Sequence, residues 1–209
     1  MVTAGRESGG GAGGAPGHLD RDEDRARAVA AAVTDPELPM LTLADLGVLR
    51  DVTVLPGVNA DGGTVTVSIT PTYSGCPALG AMREDLLRAL HRAGFEAVEV
   101  RTVLSPPWTT DWITAEGRRK LAAAGIAPPG PASPASAVTP GSPVNPAGSA
   151  PRHGTGPVPL TLVPPPARVP CPRCGSADTA LVSPFGATAC KALRRCRACD
   201  EPFEHVKEH

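Results

Sequence analysis

The sequence contains no apolar run of the roughly 20 residues that a bilayer-spanning helix needs, so we expect no membrane segment. Acidic and basic residues nearly cancel, to a net charge of −1. Such a balance gives no field that would attract nucleic acid or a membrane surface. Nothing at the N-terminus resembles a signal peptide, and most of the cysteines have metal-ligand spacing, which favours a reducing cytoplasm.

Motifs that would supply catalysis are also missing. No Glu-x-x-His pair on helices offers a di-iron centre, and no Walker loop is present. The run Gly9–Gly14 has the letters of a dinucleotide-binding motif, but it neither follows a predicted strand nor opens a helix. The sequence therefore shows no motif for di-iron, nucleotide-dependent or dinucleotide-dependent catalysis.

Four of the six cysteines form two C-x-x-C pairs near the end of the chain, Cys171 with Cys174 and Cys196 with Cys199. Two such pairs, about twenty residues apart, match a four-cysteine zinc ribbon, because tetrahedral zinc needs two thiolate turns that face each other. The alternative is a pair of disulfides in a secreted module. Cys190 lies between the pairs and is interpreted as a packed thiol, or as a competing ligand if the site held an iron–sulfur cluster.

Proline and glycine divide the chain. We expect a disordered Gly-rich tail over residues 1–18, an α/β domain over 19–127, a Pro/Ala/Gly-rich linker over 128–168 and the zinc ribbon over 169–209. The fold class is therefore α/β (α+β): a small mixed sheet with packed helices, followed by the linker and the ribbon.

Within the α/β domain, hydrophobic periodicity predicts the order helix, strand, strand, helix, strand, helix. The predicted bounds are helix 22–33, strands 48–55 and 64–69, a helix from Pro77 to His91, a strand over 97–104, and a last helix capped by Thr114 and stopped by Gly125.

Cys76 is the candidate functional thiol of this domain. It lies between a predicted strand end and a predicted helix N-terminus, where unpaired N–H groups and the helix dipole stabilise a thiolate. A buried cysteine that acts as a small hydrophobe is the alternative. His91 cannot act as its base, since one helix would separate the two residues by roughly 22 Å, so Cys–His hydrolysis is not expected.

Two further pairs of residues have a functional and a structural interpretation. Asp35 and Glu37 flank a proline and form either a turn with its cap or a pair of hard oxygen ligands that assist Cys76. Trp108 and Trp112 either cap the core or form a partner-binding edge.

Several segments of the α/β domain together resemble iron–sulfur assembly factors of the SufT type: Thr34–Pro39, Asp45–Gly47, Thr70–Pro77 and Trp108–Ile113. The segment Ser183–Leu193, inside a four-cysteine ribbon, resembles the PaaD family, which is encoded with the phenylacetyl-CoA epoxidase of phenylacetate breakdown. The two resemblances cover both predicted domains.

These resemblances imply an accessory component that matures or maintains the epoxidase's iron–sulfur or di-iron centres, with Cys76 as the functional thiol. They imply structural zinc, transient binding of iron or an iron–sulfur cluster, and the oxygenase and reductase subunits as partners, with a homodimer as a further possibility. The competing hypothesis is a structural adaptor subunit in which Cys76 only packs. A DNA-binding ribbon is disfavoured because acidic residues lie close to its arginines.

Overall fold

The computed structural model describes residues 16–56, 63–73, 75–130 and 169–208, with the side chains from residue 18 onward. The predicted tail and linker lie almost wholly outside these residues. The chain forms two compact units. The first contains the residues up to Trp108 together with Trp112–Lys120, and the second contains Thr109–Asp111 and everything from Leu121 onward.

The first unit is built around a three-stranded sheet. Its elements are α1 (Pro16–Ala31), β1 (Leu49–Leu55), β2 (Thr64–Ile69), α2 (Leu79–Arg92) and β3 (Val98–Thr102). A 3₁₀ turn (Thr110–Trp112) and α3 (Ala115–Ala123) follow along the chain, and the last three residues of α3 belong to the second unit. β2 is the central strand and runs antiparallel to β1 and parallel to β3. The predicted α+β class with a small mixed sheet is confirmed.

Aliphatic side chains from the central strand and α2 form the core of this unit. Val65, Val67 and Ile69 of β2 are fully buried, and α2 presents Met82, Leu86 and Leu90 on one face. Each fully buried side chain of this kind contributes about 1.5–3 kcal/mol relative to exposure. The register places Val65 opposite Val54 of β1 and Val98 of β3, so valines of the three strands lie side by side across the sheet.

The predicted element order is correct, but two helix boundaries were wrong. Helix α1 extends from Pro16 to Ala31 rather than over 22–33. A proline suits the first helical position, and the helix ends early because the Val33 carbonyl accepts a hydrogen bond from the Leu43 N–H (2.8 Å). Helix α2 starts at Leu79 rather than at Pro77, since a turn closed by the Leu79 N–H and the Cys76 carbonyl (3.3 Å) precedes it.

The other boundaries differ less. The third strand is shorter at both ends than the predicted 97–104. Thr114 caps α3 as expected, because its Oγ1 accepts the Gly117 N–H at 2.9 Å. Gly125 follows the helix with φ +76°.

Two side chains of α1 form hydrogen bonds with backbone groups at the outer edge of β1. The sequence did not indicate this arrangement. The Arg27 guanidinium donates to the Val52 carbonyl (2.7 Å), and a Glu23 carboxylate oxygen accepts the Val54 N–H (3.4 Å). An uncovered edge strand exposes unpaired backbone groups to other chains. The helix therefore both packs on β1 and occupies the hydrogen-bonding groups of its free edge.

The second unit is a three-stranded antiparallel meander of β4 (Thr179–Ser183), β5 (Lys191–Cys196) and β6 (Pro202–Val206). Ala127 lies beside β6, donating to the Glu204 carbonyl (2.8 Å) and accepting from the Val206 N–H (3.1 Å). The residues from Leu121 to Ala127, which sequence patterns placed in the α/β domain, thus group with the ribbon. The core of this unit is small, and its main apolar cluster consists of Ala127, Val169, Cys171, Cys196 and Phe203.

A tight contact fixes the Asp45–Gly47 turn of the first unit. Gly47 has φ +68°, and a Cβ there would lie 2.5 Å from the Trp112 Cβ and 2.6 Å from the Trp112 carbonyl oxygen. Trp108 is buried in the same region and donates from its indole N–H to the Leu46 carbonyl (2.8 Å). Only glycine combines this backbone conformation with this close approach.

We expect Gly47→Ala to destabilise the protein by about 3 kcal/mol or more, since left-handed strain adds to overpacking against backbone. Gly94→Ala is the matched control because Gly94 also has a positive φ (+91°) but nothing within 4 Å of an added Cβ. That control should cost about 1 kcal/mol. Urea unfolding of both variants measures the difference, and equal losses would contradict the close-contact argument.

Candidate functional site

The four cysteines of the two C-x-x-C pairs come together in the second unit. The Sγ atoms of Cys171, Cys174, Cys196 and Cys199 all lie within 4.8 Å of one another. Cys171 and Cys199 are separated by 3.8 Å between sulfurs, and Cys174 and Cys196 by 3.6 Å. All six cysteines of the chain are thiols. These separations are far too long for disulfides, whose S–S length is about 2 Å, so the disulfide alternative does not hold.

The sulfur geometry fits zinc. With Zn–S bonds of about 2.3 Å, tetrahedral geometry places two sulfurs about 3.8 Å apart, as observed here. Four thiolates and no open position are typical of a structural site, so bound zinc would hold the two turns together and supply no reaction of its own. The predicted metal ligands Cys171, Cys174, Cys196 and Cys199 are therefore one metal-binding cluster.

Backbone geometry prepares these turns for thiolates. Gly175 has φ +73° and its N–H donates to the Cys171 carbonyl (2.9 Å), which closes the first turn. In the second turn, the Glu201 N–H acts to lower the pKa of Cys199, but the neighbouring thiols and burial raise it to about 12. Burial acts to raise the pKa of Cys196, but the N–H groups of Cys199 and Ala198 donate to its sulfur and lower the pKa to about 7. A lowered thiol pKa favours the thiolate that a metal binds.

Cys190 lies outside the metal cluster. It is buried, and its sulfur is 3.1 Å from the Thr188 hydroxyl oxygen. This position agrees with the interpretation as a packed thiol.

The first unit places Cys76 in the turn immediately before α2. Its side chain is half-buried, and its N–H donates to the Tyr73 carbonyl (3.2 Å). His91 lies in the last turn of α2, at the opposite end of the helix. The structure thus agrees that these two residues do not form a nucleophile–base pair.

Asp35 has a clear structural role. The carboxylate is buried, and its Oδ1 accepts the N–H groups of Glu37 (2.9 Å) and Leu38 (2.8 Å), which closes the turn around Pro36. Glu37 is half-buried. Among the described residues, only the four-cysteine cluster brings three or more potential ligand side chains together. Cys76, Asp35 and Glu37 therefore do not form a metal-binding group of three.

The tryptophans differ in exposure. Trp108 is 4% exposed and hydrogen-bonded through its indole, which favours the core-capping interpretation for this residue. Trp112 is half-buried, and the Arg50 guanidinium lies 3.5 Å from the centroid of its ring. A cation over an indole ring is an attractive contact that holds Trp112 in place.

Sequence reasoning missed the network around Asp45, which orders the turn beneath these tryptophans. Its carboxylate accepts from the Lys120 ammonium (2.7 Å) and from the Thr42 N–H (3.0 Å), and the Thr42 hydroxyl accepts the Asp45 N–H in return (3.0 Å). Burial acts to raise the Asp45 pKa, but these hydrogen bonds and the Lys120 charge lower it overall. The Thr-x-x-Asp spacing of Thr42 and Asp45 was the signal in the sequence from which this network could have been predicted.

One curated protein is similar over almost the whole chain. It is an Escherichia coli (strain K12) protein, described as a subunit of a "Putative 1,2-phenylacetyl-CoA epoxidase", with 41% identity over 185 residues, which are 86% of this chain and 89% of the relative. The chain belongs to the family of this epoxidase subunit. No described helix is long and apolar enough to cross a membrane.

Two domain families divide the chain as the resemblances did. Residues 23–103 match the family described as iron-sulfur cluster assembly protein, and residues 156–207 match the PaaD zinc beta ribbon domain. Both resemblances stated from the sequence are therefore confirmed.

Two solved structures are similar to part of the chain. A Bacillus anthracis domain of unknown function, DUF59, has 27% identity and a TM-score of 0.43, covering 50% of this chain and 94% of its own. A Mycobacterium tuberculosis protein, described as associated with Fe–S complex assembly and repair, has 28% identity and a TM-score of 0.30, covering 58% of this chain and 98% of its own.

We expect Cys196→Ser to abolish zinc binding and to unfold the ribbon, because the small core of the second unit leaves the metal to supply most of its folding free energy. Cys190→Ser is the matched control: it replaces the buried cysteine just before β5, and it should keep one zinc. Zinc content by mass spectrometry and amide dispersion of residues 169–208 by NMR measure both effects. Equal zinc loss in the two variants would contradict the four-cysteine assignment.

Proposed function

We propose that this chain is a non-catalytic accessory protein that matures or maintains the metal centres of a phenylacetyl-CoA epoxidase. The observation that carries the proposal is the union, on one chain, of an iron–sulfur assembly domain (23–103) and a ribbon (156–207), with similarity to an epoxidase subunit across both. An assembly domain on a subunit of an iron-dependent oxygenase is expected to serve that oxygenase's own metal centres.

In this proposal, Cys76 holds iron or an iron–sulfur cluster transiently as cargo. The thiol lies half-buried in the turn that leads into α2. Cys76 belongs to no converging group of three ligand side chains among the described residues. Iron bound there would have incomplete protein coordination and would exchange readily, which suits delivery rather than storage.

Glu37 and Asp35 have different assisting roles. The buried Asp35 carboxylate already accepts two N–H groups, so its contribution is to hold the turn in shape. Glu37 is the better candidate for an oxygen ligand, because its backbone is fixed by that turn while its side chain is only half-buried.

The zinc ribbon binds the client, which is the oxygenase or the reductase subunit. A tether between the two units raises the concentration of Cys76 near a client that the ribbon holds. The competing function is a structural adaptor subunit in which Cys76 only packs. It is favoured by the same lack of converging ligands around Cys76 and predicts indifference to Cys76 replacement.

The test is to express the epoxidase in cells whose only copy of this chain carries Cys76→Ala, with Cys190→Ala as the matched thiol control. We expect the Cys76 variant to fold and bind zinc normally, while epoxidase activity and the iron content of the purified oxygenase and reductase fall by about tenfold or more, as for loss of a metal-binding contact. The control should retain both. Full activity and full iron with Cys76→Ala would reject the assembly role and leave the adaptor.

A further inference from the structure

The ribbon presents three large apolar side chains to solvent. Leu181 and Val182 of β4 are 54% and 58% exposed, and Phe185 in the following loop is 68% exposed. We call these three residues the Phe185 surface. β4 is also an edge strand, since it pairs only with β5 in the described sheet. The chain has three phenylalanines, and one whose side chain is largely exposed to water requires an explanation.

The loop that carries Phe185 is held in one conformation. The Ser183 hydroxyl accepts the Phe185 N–H (3.1 Å), and the Gly186 N–H donates to the Lys191 carbonyl (2.8 Å). The Ala187 N–H donates to the Glu204 carboxylate (2.8 Å). A Cβ on Gly186 would lie 2.9 Å from a Glu204 carboxylate oxygen and 3.1 Å from the Lys191 Cβ, so a larger residue here would displace the Glu204 carboxylate.

A buried ion pair anchors the base of this loop. The Lys191 ammonium, on a side chain only 6% exposed, lies 2.7 Å from a Glu204 carboxylate oxygen. Burial acts to raise the Glu204 pKa, but the hydrogen bond from Lys191 lowers it overall. Burying such a pair is often no gain in stability over apolar side chains. Here the pair fixes the loop, because the Glu204 carboxylate accepts hydrogen bonds from both the Lys191 ammonium and the Ala187 N–H.

The exposed ring is accompanied by a positive charge. The Lys207 ammonium lies 5.4 Å from the centroid of the Phe185 ring. Among the described residues, no carboxylate forms an ion pair with Lys207. The surface thus combines a preorganised aromatic anchor with a cation that has no acidic partner within the described part of the ribbon.

We propose that the Phe185 surface is the site where the ribbon docks on another subunit of the epoxidase, in an apolar pocket with a carboxylate at its rim. The partner's identity rests on the proposed function. Aromatic side chains in fixed positions are frequent anchors of interfaces, and the carboxylate would pair with Lys207. Three side chains make a small contact, which suits a transient client rather than a permanent assembly.

Charge argues against a second copy of this chain as the occupant. A twofold contact through the Phe185 surface would bring the same patch of both copies together and place the two Lys207 ammonium groups close to each other. Like charges facing across an interface are unfavourable. A partner with an apolar pocket and a carboxylate at its rim would instead bury the Phe185 ring and pair with the Lys207 ammonium.

The experiment measures binding of the purified zinc-loaded full chain to the purified oxygenase and reductase subunits of its epoxidase, by biolayer interferometry. Phe185→Ala should weaken binding by about tenfold or more, as for an interface anchor. Lys207→Gln should weaken it less and reduce its dependence on salt, as for a charged group at the rim. Leu104→Ala is the control, since Leu104 is also a largely exposed apolar side chain (58%) but lies in the other unit, and it should bind as the wild type does. Zinc content and melting temperature verify that each variant is folded.

Three results would overturn the proposal. If the wild type binds and Phe185→Ala binds equally well, the docking surface is wrong while the proposed function stands. If Phe185→Ala changes only self-association, a second copy occupies the surface. If the wild type binds neither subunit, both this proposal and the client-binding part of the proposed function fail, whereas the Cys76 experiment still tests iron delivery on its own.

Discussion

The convergence of four cysteine sulfurs is the constraint on which the second unit depends. Its main apolar cluster contains five residues, and two of them, Cys171 and Cys196, are themselves members of the metal cluster. So small a core cannot offset the entropy of ordering the chain without a metal. Once the two turns are fixed, β4, β5 and β6 form a short meander, and the ion pair of Lys191 and Glu204 then holds the loop that presents Phe185.

The first unit depends on an ordinary aliphatic core, and its functional loops are fixed by side chains that accept backbone N–H groups. Asp35 closes the turn around Pro36, and Asp45 ties Thr42 to Lys120. Gly47 allows the Asp45–Gly47 turn to approach the Trp112 backbone. The same motifs that carried the resemblance to assembly factors are thus mostly turn-forming residues, and Cys76 is the thiol among them.

Local patterns were sufficient for the elements and for the metal site. The strand over 64–69 was predicted with its observed bounds because β-branched residues alternate along it, although Thr66 is buried along with Val65 and Val67. The two C-x-x-C pairs specified the sulfur cluster because their spacing is dictated by zinc. Features that depend on distant parts of the chain were not predictable. Neither the capping of β1 by Arg27 and Glu23 nor the pairing of Ala127 with β6 has a periodic signature. The exposure of Phe185 is likewise a property of the folded loop, which its sequence does not encode locally.

The central claim is that Cys76 is a working metal thiol beside a purely structural zinc site. Its most direct test is the zinc and iron content, with visible absorbance, of the wild type and of Cys76→Ala after both proteins have been equilibrated with ferrous iron without oxygen. The account predicts one zinc per chain in both proteins, and iron with its absorbance only in the wild type. Zinc alone, in equal amounts and with no iron in either protein, would contradict Cys76 as a metal-carrying residue.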